Sequence, residues 1–233
     1  MPGRGATDVL RSNPIFATLP SSELQALAKV AREERVRARQ YVFMEGDPAT
    51  WFCLVVEGRV KIFRQSKAGK DVVLELLGPG EAFGGVAVIE RRPYPASAQA
   101  TEASTILKIP QAAIAGVAER HPSMIREMAL MIGRRLRAAH DSVTSLAVDP
   151  VEARLASTLL RLAEREGTKS RDGLTLPFHL TRQSLADMTG TTVETAIRVL
   201  GRWQREGLIR EEGQRLVLAD VEALRALGRG GEP

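Results

Sequence analysis

From Thr181 to Gly207 the chain reads TRQSLADMTGTTVETAIRVLGRWQREG, and its second half spaces one glutamate and three arginines along a single helical face. Glu194, Arg198, Arg202 and Arg205 recur about one helical turn apart, so a helix here presents a carboxylate and three guanidinium groups outward. The elements that must hold them are legible. Thr181 is a candidate N-cap for a first helix with Leu185 and Met188 on one face. Gly190 breaks the pattern where a turn needs positive φ. A second helix then starts at Thr191 or Thr192, with Ala196, Val199, Leu200 and Trp203 spaced to pack against the first. A helix pair with this turn, followed by Gly207 and a hairpin, has the shape that enters a DNA major groove. The plainer readings are a capping box from Thr191 to Glu194 and a solvated charged face.

Composition sets the bounds. With 233 residues, 44% hydrophobic and 26% charged, the chain has enough apolar side chains for one large domain or two modest ones. No apolar run approaches a membrane span, and the start MPGRGATDVL lacks a signal-peptide core, so the expectation is a soluble cytoplasmic protein with no membrane partner. The single Cys53 excludes an internal disulfide and an iron–sulfur cluster held by four thiolates of one chain; within WFCLVV it reads as a small core residue. The net charge of +5 fits a nucleic-acid partner only loosely, because from Val151 onward 13 Lys and Arg face 12 Asp and Glu. The face that the arginines occupy matters more than their number.

Along the chain, Pro20 and Ser21 open a helix with an apolar stripe of Leu24, Leu27, Ala28 and Ala31. From Tyr41 to Pro110, strand-like runs (Trp51–Val56, Val60–Phe63, Val72–Leu77, Ile106–Ile109) alternate with turns at EGDPA, VEGRV, KAGK and GPGEAFGG. That pattern predicts an antiparallel barrel or sandwich. A long helix follows from Ser123 to Val148, about 39 Å at 1.5 Å per residue. Ile125, Met128, Ile132, Leu136, Ala139, Val143 and Leu146 form a seam along it at spacings of three and four, which predicts a homodimer interface. Asp149 is the expected cap of the next helix, with Pro150 at its first position. LTLPF at 174–178 and LIREEGQRLVLAD then supply a small strand pair and a wing hairpin. The expected fold class is α+β: residues 1–110 an N-terminal helix and β-roll, 111–148 connecting and dimerisation helices, and 149–233 a winged helix–turn–helix.

This order of elements resembles the CRP/FNR family of bacterial transcription regulators over residues 10–227. The carriers are EGDPA at 45–49, VVEGRVKIF at 55–63, GPGEAFGG at 78–85 and TVETAIRVLGRWQREG at 192–207, the last most similar to the FNR and Dnr branches. The resemblance implies a jelly roll of the cyclic-nucleotide-binding kind and a recognition helix reading bases with a Glu and an Arg four residues later, here Glu194 and Arg198. The chemistry agrees, since a carboxylate accepts from a cytosine amino group and a guanidinium fork contacts guanine O6 and N7. Val193 stands where the cyclic-AMP receptor branch has a further arginine, and Ile197 where the FNR branch has a serine. The expected target is a palindrome with TTG-like half-sites in double-stranded DNA. Thr181, Gln183, Thr192 and Thr195 are candidate phosphate contacts that set register. By the same resemblance the regulator is expected to be an activator working with RNA polymerase, with Thr168–Asp172 a loop that could touch it.

The resemblance also places an effector pocket on Phe83, Gly84, Gly85, Val86, Ala87, Tyr94, Pro95, Ala96 and Ser97. In members that bind cyclic AMP, a Glu after the Phe-Gly pair bonds the ribose and an Arg further on pairs with the cyclic phosphate. Here those positions are Gly85 and Tyr94 or Pro95, and a buried phosphate would lack its cation, so cyclic AMP is disfavoured. Arg91 and Arg92, before Pro93, read as solvated. YPASAQA resembles Dnr-type regulators, which respond to nitric oxide through haem; Met1-Pro2 resembles the proline ligand of the family's carbon monoxide sensor, but the Cys and His of that sensor's haem segment are absent here. Haem therefore stays open as a cofactor, with His121, His140 and His179 the available histidines. His121, before a Pro at a helix boundary, and His179 read as structural. The FNR iron–sulfur cysteines are missing. There is no Ser/His/Asp set, no metal-spaced His/Cys cluster and no phosphate-binding Gly loop opening a helix, so no catalytic or metal site is expected. The alternative function is a cyclic-nucleotide-binding-like signalling module that does not act on DNA.

Overall fold

The computed structural model describes residues 5–66, 69–170 and 173–229. These form two compact units, divided between Arg137 and Ala138. The N-terminal unit opens with three helices: α1 (Ala6–Ser12), α2 (Pro14–Ala17) and α3 (Ser21–Val30). Eight strands follow: β1 (Arg32–Val36), β2 (Tyr41–Phe43), β3 (Trp51–Glu57), β4 (Val60–Gln65), β5 (Asp71–Leu77), β6 (Ala82–Phe83), β7 (Ser97–Ala100) and β8 (Ser104–Pro110). α4 (Gly85–Glu90) interrupts the strands between β6 and β7, and α5 (Gln111–Arg120) follows β8. The strands make two antiparallel four-stranded sheets, in the orders β1-β8-β3-β6 and β2-β7-β4-β5.

Two apolar clusters hold this unit together. One lies among the strands and includes Val36, Cys53, Val55, Val60, Leu77, Phe83, Ala98 and Ile106. Burial there pushes the Cys53 thiol up to about 12, so it stays protonated and behaves as the small core residue its sequence context indicates. The other cluster packs the helices on the roll. Phe16 of α2 meets Phe52 of β3 edge to face at 5.4 Å, and Leu24, Leu27, Ile114 and Val117 close around them.

α6 (Pro122–Val148) is the expected long helix. Its seam divides, however. Ile125, Ile132, Leu136, Val143 and Leu146 are exposed large hydrophobics and Ala139 is exposed, but Met128 is only 4% exposed. Met128 belongs to the N-terminal unit's own core, beside Met124, and cannot serve as a dimer contact. Spacing marks an apolar face without saying which neighbour covers it. Arg135 of the same helix bonds the Ala82 carbonyl at 2.7 Å and pairs with Glu75 at 2.9 Å.

The C-terminal unit continues with α7 (Val151–Glu166), β9 (Thr168–Ser170), β10 (Gly173–Leu176), α8 (Arg182–Thr189), α9 (Val193–Arg205), β11 (Ile209–Glu212), β12 (Arg215–Leu218) and α10 (Val221–Gly228). Its sheet runs β11-β12-β10-β9, all antiparallel. Asp149 does not cap α7. Pro150 holds the N-cap position, and Asp149 instead accepts from Ser145 Oγ at 2.5 Å and gives its carbonyl to Arg154 at 2.8 Å. Thr168–Ser170 is paired strand rather than loop. Arg171 and Asp172 from that stretch, Lys67 and Ala68 of the KAGK turn, and Met1-Pro2 lie outside the described residues. No helix among the described residues is long and apolar enough to cross a membrane.

Candidate nucleic-acid interface and sensor interior

α8 and α9 are built as their sequence requires. Thr181 caps α8, its Oγ1 accepting from the Ser184 N–H at 3.0 Å. Gly190 then takes φ 61°, left-handed backbone that a side chain rarely adopts. Thr192, not Thr191, caps α9 by accepting from the Thr195 N–H at 3.2 Å, so the Thr191–Glu194 capping box does not form as read. Ala196, Val199, Leu200 and Trp203 are buried, with Trp203 wholly enclosed. That leaves Glu194, Ile197, Arg198 and Arg205 exposed.

Arg202 behaves differently from the other arginines of this helix. Its guanidinium pairs with Glu152 in the first turn of α7 and approaches Glu206 at 3.6 Å. It therefore ties α9 to α7 and takes no place on the outward face. No helical spacing could have revealed this, because the partner lies 50 residues away in sequence. A comparable pair joins Arg182 of α8 to Glu211 of the wing. Arg198 stands at the edge of a recess of about 310 Å³ between α7 and α9, lined also by Val151, Ala153, Thr195, Val199 and Leu227.

Each of the four candidate phosphate contacts already has a local partner. Thr181 and Thr192 are caps, Thr195 Oγ1 accepts from Thr192 Oγ1 at 3.1 Å, and Gln183 donates to Asp187 at 2.7 Å. Thr192→Ala is therefore expected to cost about 1 kcal/mol of stability through the lost cap. Thermal unfolding of the variant measures that loss, and DNA affinity should fall by the same factor on every sequence.

In the N-terminal unit the anchor segment is packed rather than open. Gly85 is buried, and a Cβ added to it would lie 2.6 Å from Phe52 Cε2 and 3.2 Å from Met128 Cε. Tyr94 is buried, stacks on Phe43 at 3.6 Å, donates from its hydroxyl to the Trp51 carbonyl at 2.7 Å and accepts from the Trp51 N–H at 3.1 Å. Burial holds that hydroxyl protonated far above its ordinary range. Phe83 lies against Phe43 at 5.8 Å, Ala87 and Ala96 are buried, and Ser97 Oγ accepts from the Glu45 N–H at 2.9 Å. Gly84 takes φ 75° with Tyr94 Cε1 3.0 Å from where its Cβ would be. Val86 and Pro95 are exposed and do not line this interior, because α4 turns Val86 outward. Sequence pattern missed α4: a six-residue GVAVIE between glycines and arginines has the β-branched content of a strand.

Cyclic AMP does not fit these side chains. The ribose-binding Glu position has no room for a Cβ, and a tyrosine with both hydroxyl interactions satisfied occupies the phosphate-binding region. Of the histidines, His121 Nε2 lies 3.2 Å from Glu23, whose carboxyl is held below its usual range mainly by Arg120, while His140 and His179 are exposed. Among the described residues no cluster of three or more His, Cys, Asp or Glu is arranged to hold a metal ion.

A β-roll followed by a long helix and a winged helix–turn–helix is the architecture of a DNA-binding regulator with a sensor-type N-terminal half. Residues 33–121 match the cyclic nucleotide-binding domain family, and residues 153–227 match the Crp-like helix-turn-helix domain. The "CRP-like cAMP-activated global transcriptional regulator" of Mycobacterium tuberculosis is 29% identical over 218 residues, 93% of this chain and 97% of that protein. The "Transcriptional activator protein anr" of Pseudomonas aeruginosa is 26% identical over 214 residues, covering 91% and 87%. The solved structure of FixK2 from Bradyrhizobium japonicum superposes with a TM-score of 0.76 at 24% identity, over 85% of this chain and 97% of that one. The chain belongs to the CRP/FNR family of transcription regulators, and its similarity is to regulators rather than enzymes. The reading as a signalling module without DNA is thereby displaced.

Proposed function

We propose that this chain is a homodimeric, sequence-specific regulator in which Glu194 and Arg198 read bases in TTG-like half-sites of a palindrome. The observation that carries the reading is the division of α9: one face buries Ala196, Val199, Leu200 and Trp203, and the other exposes Glu194 and Arg198. Bidentate contact of arginine with guanine and acceptance by glutamate from cytosine are the pairings such a face can make. Ile125, Ile132, Leu136, Ala139, Val143 and Leu146 of α6 supply the homodimer seam, without Met128. A two-fold dimer places its recognition helices about 34–36 Å apart, one DNA turn. Residues 1–110, 111–148 and 149–233 serve as sensor, dimerisation and DNA-binding parts of a cytoplasmic protein. A role as activator is supported by the name of the Pseudomonas aeruginosa relative, and RNA polymerase is the partner that this role requires.

Selection from a randomised DNA pool, with and without haem, nitric oxide and cyclic nucleotides, tests the reading. A TTG-containing palindrome is the expected product, and failure to enrich any site overturns it. The effector is not cyclic AMP, unlike that of the Mycobacterium tuberculosis relative named for it. Saturating cyclic AMP is expected to move neither the melting temperature nor the DNA affinity. Ligand at 100 times its Kd would stabilise by about 2.7 kcal/mol, an effect that thermal unfolding detects readily.

A further inference from the structure

The outward face of α9 carries a feature that Glu194 and Arg198 do not explain. Ile197 is 53% exposed, on a helix that encloses Val199, Leu200 and Trp203 almost completely. A β-branched residue is a poorer helix former than the alanine or arginine on either side of it, so neither helix propensity nor packing accounts for it. Gly201 lies one turn further along the same face, four residues on. A Cβ there would meet nothing within 4 Å, so no internal contact requires a glycine. A glycine inside a helix nevertheless costs about 1 kcal/mol relative to alanine. Ile197 and Gly201 together make a low apolar step beside the Arg198 guanidinium, with clearance where a side chain would otherwise stand.

The methyl group that base edges offer in the major groove is the C5-methyl of thymine. Resting on the reading that α9 enters that groove, we propose that Ile197 is a third base-reading residue, which packs its side chain on a thymine methyl in each half-site. Gly201 is the companion that lets the helix sit close enough for this contact. Glu194 and Arg198 then read hydrogen-bonding pattern, while Ile197 separates thymine from every base that lacks the methyl.

Deoxyuridine tests this directly, because it keeps the thymine hydrogen-bonding pattern and removes only the methyl. Each thymine of the selected site is replaced in turn, and binding is measured for wild type, Ile197→Ala, Arg198→Ala and Glu194→Ala. One thymine per half-site should be sensitive in wild type, losing about fourfold, the worth of one buried methyl group. Ile197→Ala should be indifferent at that position and keep its discrimination at the guanine that Arg198 reads. Because Ile197 is more than half exposed, the substitution should leave the melting temperature unchanged or raise it slightly. Gly201→Gln should weaken binding of the natural site without lowering stability. If no thymine is sensitive, or if Ile197→Ala is as sensitive as wild type, the inference falls while base reading by Arg198 stands. Discrimination unchanged at every base in both Arg198→Ala and Glu194→Ala would remove the placement of α9 in the groove, and this inference with it.

Discussion

Gly85→Glu is expected to destabilise the N-terminal unit by roughly 3 kcal/mol or more and to confer no binding of cyclic AMP. The substitution restores the carboxylate that cyclic-AMP-binding relatives use, at the matching position, so on sequence alone it would seem a gain. The surroundings decide otherwise. The new Cβ falls 2.6 and 3.0 Å from two atoms of the Phe52 ring, which is fully buried and held edge-on by Phe16. Met128 Cε, at 3.2 Å, is the flexible end of a side chain and can give way, but the ring cannot. The carboxylate would also enter an apolar interior bounded by Tyr94, which already serves both backbone groups of Trp51. Overpacking and an unpaired buried charge add in the same direction. For a unit of this size the melting temperature should fall by roughly 10 °C. Thermal unfolding followed by circular dichroism, with calorimetric titration of cyclic AMP, measures both effects. A variant that melts like wild type, or that takes up the nucleotide, would show that the β-roll opens more readily than its packing indicates.

The contrast between Gly85 and Arg202 shows where sequence reading reaches and where it stops. The missing anchor at Gly85 is visible in a single segment, but the reason no anchor fits lies in Phe52 and Met128, brought there by β3 and α6. Arg202 has the same one-turn spacing as Arg198, and only the fold shows that Glu152 claims it. Strong local signals carried through: α9 is divided sharply between apolar and charged faces, Thr181 and Thr192 cap, and Gly190 turns. β1 was illegible for a physical reason. It is an edge strand, REERV, in which only Val36 is buried, so no apolar alternation marks it. The short α1 and α2 lack the length for a period to show. Met128 illustrates the remaining gap, since one stripe on α6 serves the unit's core at its start and is exposed further along.

Arg198→Ala is expected to weaken binding of the selected site by about 1–3 kcal/mol and to relax discrimination at one base pair. Stability should hardly change, because Arg198 is exposed and the packing of α9 rests on the opposite face. Arg202→Ala is the informative comparison. Its ion pair with Glu152 is a partly exposed one, worth about 0–1 kcal/mol, so its loss should loosen the attachment of α9 to α7 and lower affinity for all sequences alike. Salt dependence separates the two mechanisms. A phosphate contact contributes about one unit to the slope of log affinity against log salt, whereas a base contact leaves the slope nearly intact. Titrations of wild type and both variants, on the selected site and on a scrambled duplex at several salt concentrations, supply the comparison. If Arg198→Ala loses affinity equally on both duplexes and its slope drops by about one, Arg198 holds the backbone, and the burden of base reading shifts to Glu194.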